Sequence, residues 1–269
     1  MAKRTPDSPL VPPEIDTTVP HPARVWDYWL EGKDHFPADR EVGEQILHAV
    51  PEFSVIARAD REFLGRTVRY LAGEVGIRQF LDIGTGIPTA DNTHQVAQRV
   101  APDSRIVYVD NDPIVLVHAR ALLTSTPEGA TDFIDADLRQ PETILEGAAR
   151  TVDLSQPVAI SMLAILEFIT TTAEAQSIIK VLLDAVPSGS YLTISQPVHS
   201  PEMDKAAQLW NESGATKVVI RTYDEVASLF DGLEMLEPGL VSLPQWRPED
   251  DTRYTDRELS YVGGVGRKP

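Results

Sequence analysis

Apolar residues recur with helical spacing in the first part of the chain. A helix is predicted over 23–32, with one apolar stripe formed by Val25, Trp26, Trp29 and Leu30. The same spacing predicts a second helix over 38–50, which Pro51 ends, and a third over 52–74. Residues 1–20 lack this pattern and are rich in proline, which predicts an extended arm.

Beyond residue 77, short apolar runs alternate with helical patterns. The runs predict strands over 79–83, 105–110, 131–137, 158–163 and 191–195, with candidate last strands over 240–243 and 261–265. The segments between them predict helices over 93–100, 113–123, 144–149, 172–186, 201–213 and 222–230. Strands that alternate with helices of this length indicate an α/β fold with a parallel sheet covered on both faces. We therefore divide the chain into an arm (1–20), a helical region (21–76) and an α/β domain (77–269).

Composition excludes several classes of protein. The chain has 269 residues and is 42% apolar, enough for one substantial core. Its 41 acidic and 24 basic residues give a net charge of −17, which disfavours nucleic-acid and membrane-surface partners.

The sequence also indicates a cytoplasmic location. It has no cysteine, which excludes disulfides, thiolate zinc sites and cysteine nucleophiles. The basic N-terminus is not followed by an apolar segment, so no secretory signal is predicted. The longest apolar stretch, 158–169, is too short and too interrupted to span a bilayer.

The first predicted strand runs into a glycine turn. Gly84 and Gly86 permit a tight turn and close approach of a ligand to the backbone. The dinucleotide-binding fingerprint requires a further glycine where this chain has Thr89, which disfavours an NAD-dependent dehydrogenase. Asp82, two residues before the first glycine, suits a ligand with a cationic amino-acid tail. The turn is equally compatible with a purely structural role.

The next two predicted strands also end in acidic residues. Asp110 lies 24 residues after Gly86, where a carboxylate can accept hydrogen bonds from a ribose diol. The alternative is that Asp110 or Asp112 caps the following helix. Asp137 is placed to accept from an adenine amino group, with Leu138 beneath the ring. Together these residues favour a nucleoside-type ligand.

These motifs resemble those of class I S-adenosylmethionine-dependent methyltransferases. More narrowly, the chain resembles an actinobacterial family of S-adenosyl methyltransferases long catalogued as a domain of unknown function. The resemblance extends from residue 21 onward and is most specific in the string Gly-Thr-Gly-Ile-Pro-Thr-Ala-Asp-Asn-Thr-His at 84–94. Further similar segments lie at 26–34, 107–113, 188–192 and 263–269.

The resemblance implies a Rossmann-like, seven-stranded, doubly wound sheet with a reversed last strand and an N-terminal helical lid over 21–76. It implies S-adenosylmethionine as the cofactor and a binding site formed by Asp82, Gly84, Thr85, Gly86, Asp110, Asn111, Asp137 and Leu138. It does not supply the methyl acceptor.

The chain departs from the family pattern at four positions. The family usually has Asn where this chain has His35 and Asp60, and His where it has Glu167. The position of Gln196 is also often His. Because these positions follow strands or lie in the N-terminal helices, the departures indicate a specialised acceptor or a lost one.

Two residues are candidates for catalysis. Glu167 is the first candidate for a base, since it follows the fourth strand, but it could also hold a cationic amine or be a solvated surface charge. His35 is the second, because an imidazole titrates near neutral pH, although a structural role is also open. Tyr28, Arg61 and His199 are candidates for binding the acceptor, and the scattered histidines predict no metal site.

We thus expect a methyltransferase acting on a small, natural-product-like acceptor in secondary metabolism. Two alternatives remain open: an enzyme that uses the cofactor for other chemistry, and a non-catalytic binding or interaction protein. The sequence also leaves open whether two chains form a homodimer.

Overall fold

In the computed structural model, which describes residues 15–122 and 124–269, three helices precede the sheet. They are α1 (Pro22–Trp29), α2 (Pro37–Ala49) and α3 (Phe53–Tyr70), the last continuing into a π-helical turn at Leu71–Val75. All three were predicted to within a few residues. The predicted arm lies largely outside the described residues, and its described part, 15–20, contains neither helix nor strand.

Strands and helices then alternate, as the pattern predicted. The elements are β1 (Gln79–Ile83), α4 (Thr93–Val100), β2 (Arg105–Asp110), α5 (Pro113–Leu122), β3 (Ala130–Asp135), α6 (Pro141–Ala148), β4 (Ala159–Leu163), α7 (Thr172–Asp184), β5 (Tyr191–Pro197), α8 (Pro201–Glu212), α9 (Tyr223–Ala227), β6 (Glu234–Met235), β7 (Val241–Ser242) and β8 (Tyr261–Arg267). A short 3-10 turn, Leu166–Phe168, follows β4.

The sheet has the order β3-β2-β1-β4-β5-β8-β6, with β7 also paired to β8. The first five strands are parallel and β8 is antiparallel to β5, which confirms the α/β fold and the reversed last strand. The predicted number of seven strands is corrected to eight. Because β6 and β7 pair with different parts of the same edge of β8, the eight strands occupy seven positions. β6 was missed because its two residues are both exposed and show no apolar alternation.

The N-terminal helices share a hydrophobic core with the sheet. Val25, Ile46 and Phe63 belong to the same buried cluster as Tyr108 of β2 and Tyr191 of β5. The buried guanidinium of Arg66 donates to the carbonyls of Trp246 (2.9 Å) and Leu243 (2.7 Å), which fixes α3 to the segment before β8. That these helices act as a separate lid stays a prediction.

A buried ionic cluster fixes α1 to the end of β2. The Asp112 carboxylate contacts His21 Nδ1 at 2.8 Å and Arg24 Nε at 3.3 Å. It also accepts a hydrogen bond from the backbone amide of Ile114, so Asp112 is the residue that caps α5. These contacts position α1 above the carboxyl ends of the strands.

Candidate functional site

A large cavity lies at the carboxyl ends of the strands, where ligands bind in doubly wound sheets. One part, here the glycine side, is lined by Asp82, Gly84, Thr85, Gly86, Asp110, Asn111, Asp137 and Leu138. These are the eight residues predicted to bind the cofactor, and the structure brings all of them to one cavity. The other part, here the aromatic side, is lined by Trp26, Trp29, Phe53, Phe168, Trp210 and Tyr261.

The turn on the glycine side requires glycine at two positions. Gly84 and Gly86 have φ values of +74° and +66°, a backbone conformation that other residues adopt only with strain. A Cβ atom added to Gly86 would meet no described heavy atom within 4 Å, so the backbone there faces open space. The turn therefore leaves room for a ligand directly against the main chain.

Asp110 links the glycine turn to the end of β2. Its Oδ2 accepts from the amide of Gly86 (2.8 Å) and its Oδ1 from the amide of Asp112 (3.0 Å). Burial raises the pKa of the Asp110 carboxyl, and the two backbone donors oppose this increase. Since each carboxylate oxygen has two lone pairs, both oxygens still have capacity for a ligand diol.

Asp82 and Arg61 form the charged centre of the cavity. The Thr93 hydroxyl donates to Asp82 Oδ2 at 2.6 Å. Burial raises the pKa of the Asp82 carboxyl, while Thr93 and the nearby Arg61 guanidinium lower it. Arg61 also donates to the carbonyls of Ala90 and Asp91, both at 3.3 Å, and these contacts hold it beside the loop that follows the glycine turn.

Asp137 lies in a loop, because β3 ends at Asp135 rather than at 137 as predicted. The backbone amide of Arg139 donates to Asp137 Oδ1 at 2.8 Å, and its guanidinium pairs with the same carboxylate. The Arg139 guanidinium also donates to the carbonyl of Phe168 at 2.7 Å, which connects the two sides of the cavity.

Glu167 lies on the aromatic side, in the 3-10 turn after β4. It is only 6% exposed, which excludes the alternative of a solvated surface charge. The Tyr261 hydroxyl donates to Oε1 at 2.9 Å, whereas no described residue forms a hydrogen bond with the buried Oε2. Burial raises the pKa of the Glu167 carboxyl to about 7.

Arg221 fixes the loop that carries Glu167. The buried Arg221 guanidinium donates to the carbonyls of Leu166 (2.8 Å) and Ile169 (2.7 Å) and to the side chain of Gln196 (3.1 Å). The carbonyl of Glu167 itself accepts from the amide of Val219 at 2.9 Å. The guanidinium is engaged by these oxygens, and its charge lowers the pKa of the Glu167 carboxyl.

A second buried carboxyl, that of Asp60, lies on the aromatic side. The hydroxyl of Ser195, within β5, donates to Asp60 Oδ1 at 2.5 Å. Burial raises the pKa of Asp60 to about 6. Asp60 was noted in the sequence only as a departure from the family pattern, and Tyr261 only as the start of a strand. Their roles depend on the packing of α3 and β8 against the loop after β4.

Three predicted site residues do not line this cavity. The His35 ring lies 3.3 Å from Asp27 Oδ2 and packs edge-on against Tyr28, outside the cavity. Tyr28 packs over Gly43 of α2, and its hydroxyl reaches Glu44. His199 pairs with Asp204 in the first turn of α8, 2.7 Å away. Arg61 is the one predicted acceptor-binding residue that lines the cavity, and it lies beside Asp82.

Two further classes of site have no counterpart in the part of the chain that the structure describes. No group of three or more histidine, aspartate or glutamate side chains there is arranged to hold a metal ion. None of the described helices combines the length and apolar character that crossing a membrane requires.

Comparison with known proteins identifies the family. The sequence profile of the S-adenosyl methyltransferase family matches residues 9–269. A DUF574-family protein from Streptomyces avermitilis is 43% identical, with a TM-score of 0.91 over 95% of this chain and 100% of its own. A candidate methyltransferase from Thermobifida fusca is 39% identical, with a TM-score of 0.87 over 97% of this chain and 99% of its own.

More distant structures share the fold alone. Magnesium protoporphyrin IX methyltransferase from Synechocystis, solved with bound S-adenosylhomocysteine, is 11% identical, with a TM-score of 0.52 over 91% of this chain and 93% of its own. The comparison with curated proteins gives no match. The match over nearly the whole chain shows that it belongs to the S-adenosyl methyltransferase family and is an S-adenosylmethionine-dependent methyltransferase.

Proposed function

We propose that the enzyme methylates a small-molecule acceptor bound on the aromatic side of the cavity, with Glu167 as the proton acceptor. The observation that carries this proposal is the continuity of one cavity from the glycine turn to a buried carboxyl with an unpartnered oxygen. S-adenosylmethionine supplies an electrophilic methyl group on a sulfonium. The chain must therefore hold that group and the acceptor in line, and remove a proton where the acceptor carries one.

The glycine side fits this cofactor. Asp110 would accept hydrogen bonds from the ribose diol, and the open space at Gly86 would let the nucleoside lie against the main chain. Asp137 would accept from the adenine amino group, with Leu138 packed on the ring. Thr85 and Asn111 complete the lining of this part of the cavity.

The charged centre suits the amino-acid tail of the cofactor. Asp82 would bind its ammonium group. Arg61, predicted from the sequence to bind the acceptor, is assigned instead to the carboxylate of the same tail because it lies beside Asp82. The two charged groups of the tail would then each meet a side chain of opposite charge.

On the aromatic side, Glu167 is placed to take a proton. A base works best when its pKa lies near the working pH, and burial raises the pKa of Glu167 to about 7. Tyr261 fixes one carboxyl oxygen and leaves Oε2 for the acceptor. The aromatic rings around it would exclude water and bind an apolar body.

Two finer expectations remain proposals. A cytoplasmic location is supported by the absence of cysteine in the sequence. A natural-product-like acceptor is supported by the aromatic lining of the cavity. A homodimer stays a prediction.

The test is formation of S-adenosylhomocysteine from S-adenosylmethionine with a panel of small amines, phenols and carboxylic acids. We expect acceptor-dependent product for the wild type, and a decrease of about 10²- to 10⁴-fold for Glu167→Gln with unchanged cofactor affinity. Glu146→Gln, at an exposed position of α6, is the matched control and should keep full activity. Full activity of Glu167→Gln would refute the assigned base, and no product with any acceptor would refute the small-molecule assignment.

A further inference from the structure

Four buried carboxyls form a row along the cavity. Asp110 follows the glycine turn, Asp82 lies on the neighbouring strand β1, Asp60 lies on α3 above it, and Glu167 follows β4. Each is 8% exposed or less. Each carboxyl also raises the pKa of the next one in this order, which places neighbours within electrostatic range.

Neighbouring donors and cations compensate the negative charge of these four carboxyls unevenly. Asp110 and Asp82 accept backbone and hydroxyl hydrogen bonds, and Arg61 lies near Asp82. At the far end, Tyr261 donates to one oxygen of Glu167, while no described group partners the buried Oε2.

The nearby cations are held by other partners, and the charge of Arg221 lowers the pKa of Glu167 without a direct contact. Arg221 is engaged by backbone carbonyls and Gln196 behind the loop, and Arg139 is paired with Asp137. An unpaired charge in this position is unfavourable, so the site favours a ligand that brings a positive charge with N–H donors.

The walls around Glu167 also suit a cation with an apolar body. The Trp26 and Tyr261 rings lie 6.3 Å apart between centroids, and the Phe168 and Trp210 rings 5.9 Å apart. All four residues line the cavity with Glu167. Aromatic faces attract ammonium groups and pack against planar or apolar groups.

We propose that the methyl acceptor is a primary or secondary amine on an apolar or aromatic body, bound as its ammonium ion by Glu167. This inference rests on the proposed function and names the substrate class of the same site. A phenol or carboxylic acid would instead develop or carry negative charge next to Glu167 and Asp60, where it would be repelled. The net charge of −17 also favours the approach of a cationic substrate.

The chemical step requires no proton acceptor other than Glu167. The ammonium passes one proton to Oε2 of Glu167, which leaves a nitrogen lone pair. That pair forms the new bond to the methyl carbon as the bond from carbon to sulfur breaks, and the electrons of the broken bond remain on sulfur. The product leaves as the N-methylated ammonium ion with S-adenosylhomocysteine, and the proton on Glu167 passes to bulk water after the products have left.

Calorimetric titration of the protein saturated with S-adenosylhomocysteine tests this inference without turnover. The probes are 2-phenylethylamine and tryptamine, their alcohols 2-phenylethanol and tryptophol, and the acids phenylacetate and indole-3-acetate. We expect the amines to bind at least about tenfold more tightly than the matched alcohols and acids. Glu167→Gln should remove this preference while the alcohols bind as before, and Glu146→Gln should keep it.

Different failures have different meanings. If S-adenosylhomocysteine does not bind the wild type, the proposed function itself fails. If it binds and the alcohols or acids match or exceed the amines, or no probe binds, the amine inference is overturned and the methyltransferase assignment stands. Retention of S-adenosylhomocysteine affinity by Glu167→Gln shows that the variant is folded, so an unchanged amine preference in it would also overturn the inference.

Discussion

Replacing Glu167 with Gln should make the ligand-free protein more stable, and increasingly so as pH rises. The buried carboxyl has a pKa of about 7 in the folded protein, against an ordinary value of 4.5. Burial is the main cause, the neighbouring Asp60 adds to it, and Tyr261 and Arg221 oppose it. Between these two pH values the folded protein holds a proton that the unfolded chain has released, so stability falls as pH increases.

The size of the effect follows from these pKa values. The full difference is worth about 3 kcal/mol and is reached above pH about 7. At pH 5.5 the same linkage gives about 1 kcal/mol, so the stability gain of Glu167→Gln should grow by about 2 kcal/mol between pH 5.5 and pH 8.5. The amide of Gln leaves a donor in the place of Oε2, but that penalty is the same at both pH values and does not alter the difference.

Urea unfolding followed by tryptophan fluorescence measures the effect, since the chain has four tryptophans. Lower pH is avoided because the net charge of −17 decreases as the acidic residues protonate, which promotes association. The control Glu146→Gln, at an exposed position, should change stability by less than about 0.5 kcal/mol at either pH. A gain for Glu167→Gln that is equal at both pH values would refute the reasoning.

Three further variants test the geometry of the site. Gly86→Val should abolish S-adenosylhomocysteine binding in calorimetry, because the side chain would fill the open space at the turn. The control Gly232→Val, at a similar φ of +82° but away from the cavity, should bind S-adenosylhomocysteine normally. Equal losses of affinity in the two variants would contradict the assignment. Arg61→Met should weaken binding of S-adenosylhomocysteine by about tenfold and leave adenosine affinity unchanged, since only S-adenosylhomocysteine carries the amino-acid tail. A parallel loss of adenosine affinity would refute the role of Arg61 in binding that tail. His35→Asn should leave S-adenosylhomocysteine affinity within about twofold, because the ring packs against Tyr28 and does not itself line the cavity. A larger loss would show that the residue acts on the site through Asp27, which does line it.

Local patterns in the sequence predicted most of the fold. The strands β1 and β2 and the helix α4 have the predicted bounds, because each combines a continuous apolar run or stripe with clear end signals. β6 was not predicted, since a two-residue exposed strand depends on pairing with β8 rather than on its own composition.

The site was predictable where it depends on strand order and less so elsewhere. The carboxyl ends of parallel strands meet at one edge, so residues following β1, β2 and β4 could be grouped without knowing their contacts. Asp60 and Tyr261 could not be placed, because Asp60 meets Ser195 through the packing of α3, and Tyr261 meets Glu167 through the insertion of β8 beside β5. His35, Tyr28 and His199 were chosen by residue type, and in the structure each contacts an acidic side chain instead of lining the cavity.

The central claim is that the glycine side binds S-adenosylmethionine through Asp110. Calorimetric titration of S-adenosylmethionine, S-adenosylhomocysteine and NAD into the wild type, Asp110→Ala and the exposed control Asp231→Ala tests it most directly. We predict that the wild type and Asp231→Ala bind S-adenosylmethionine and S-adenosylhomocysteine with dissociation constants of about micromolar. The affinity of Asp110→Ala for both ligands should be about 100-fold lower, and none of the three proteins should bind NAD. Binding of NAD in place of both adenosyl ligands, or full affinity in Asp110→Ala, would contradict the account.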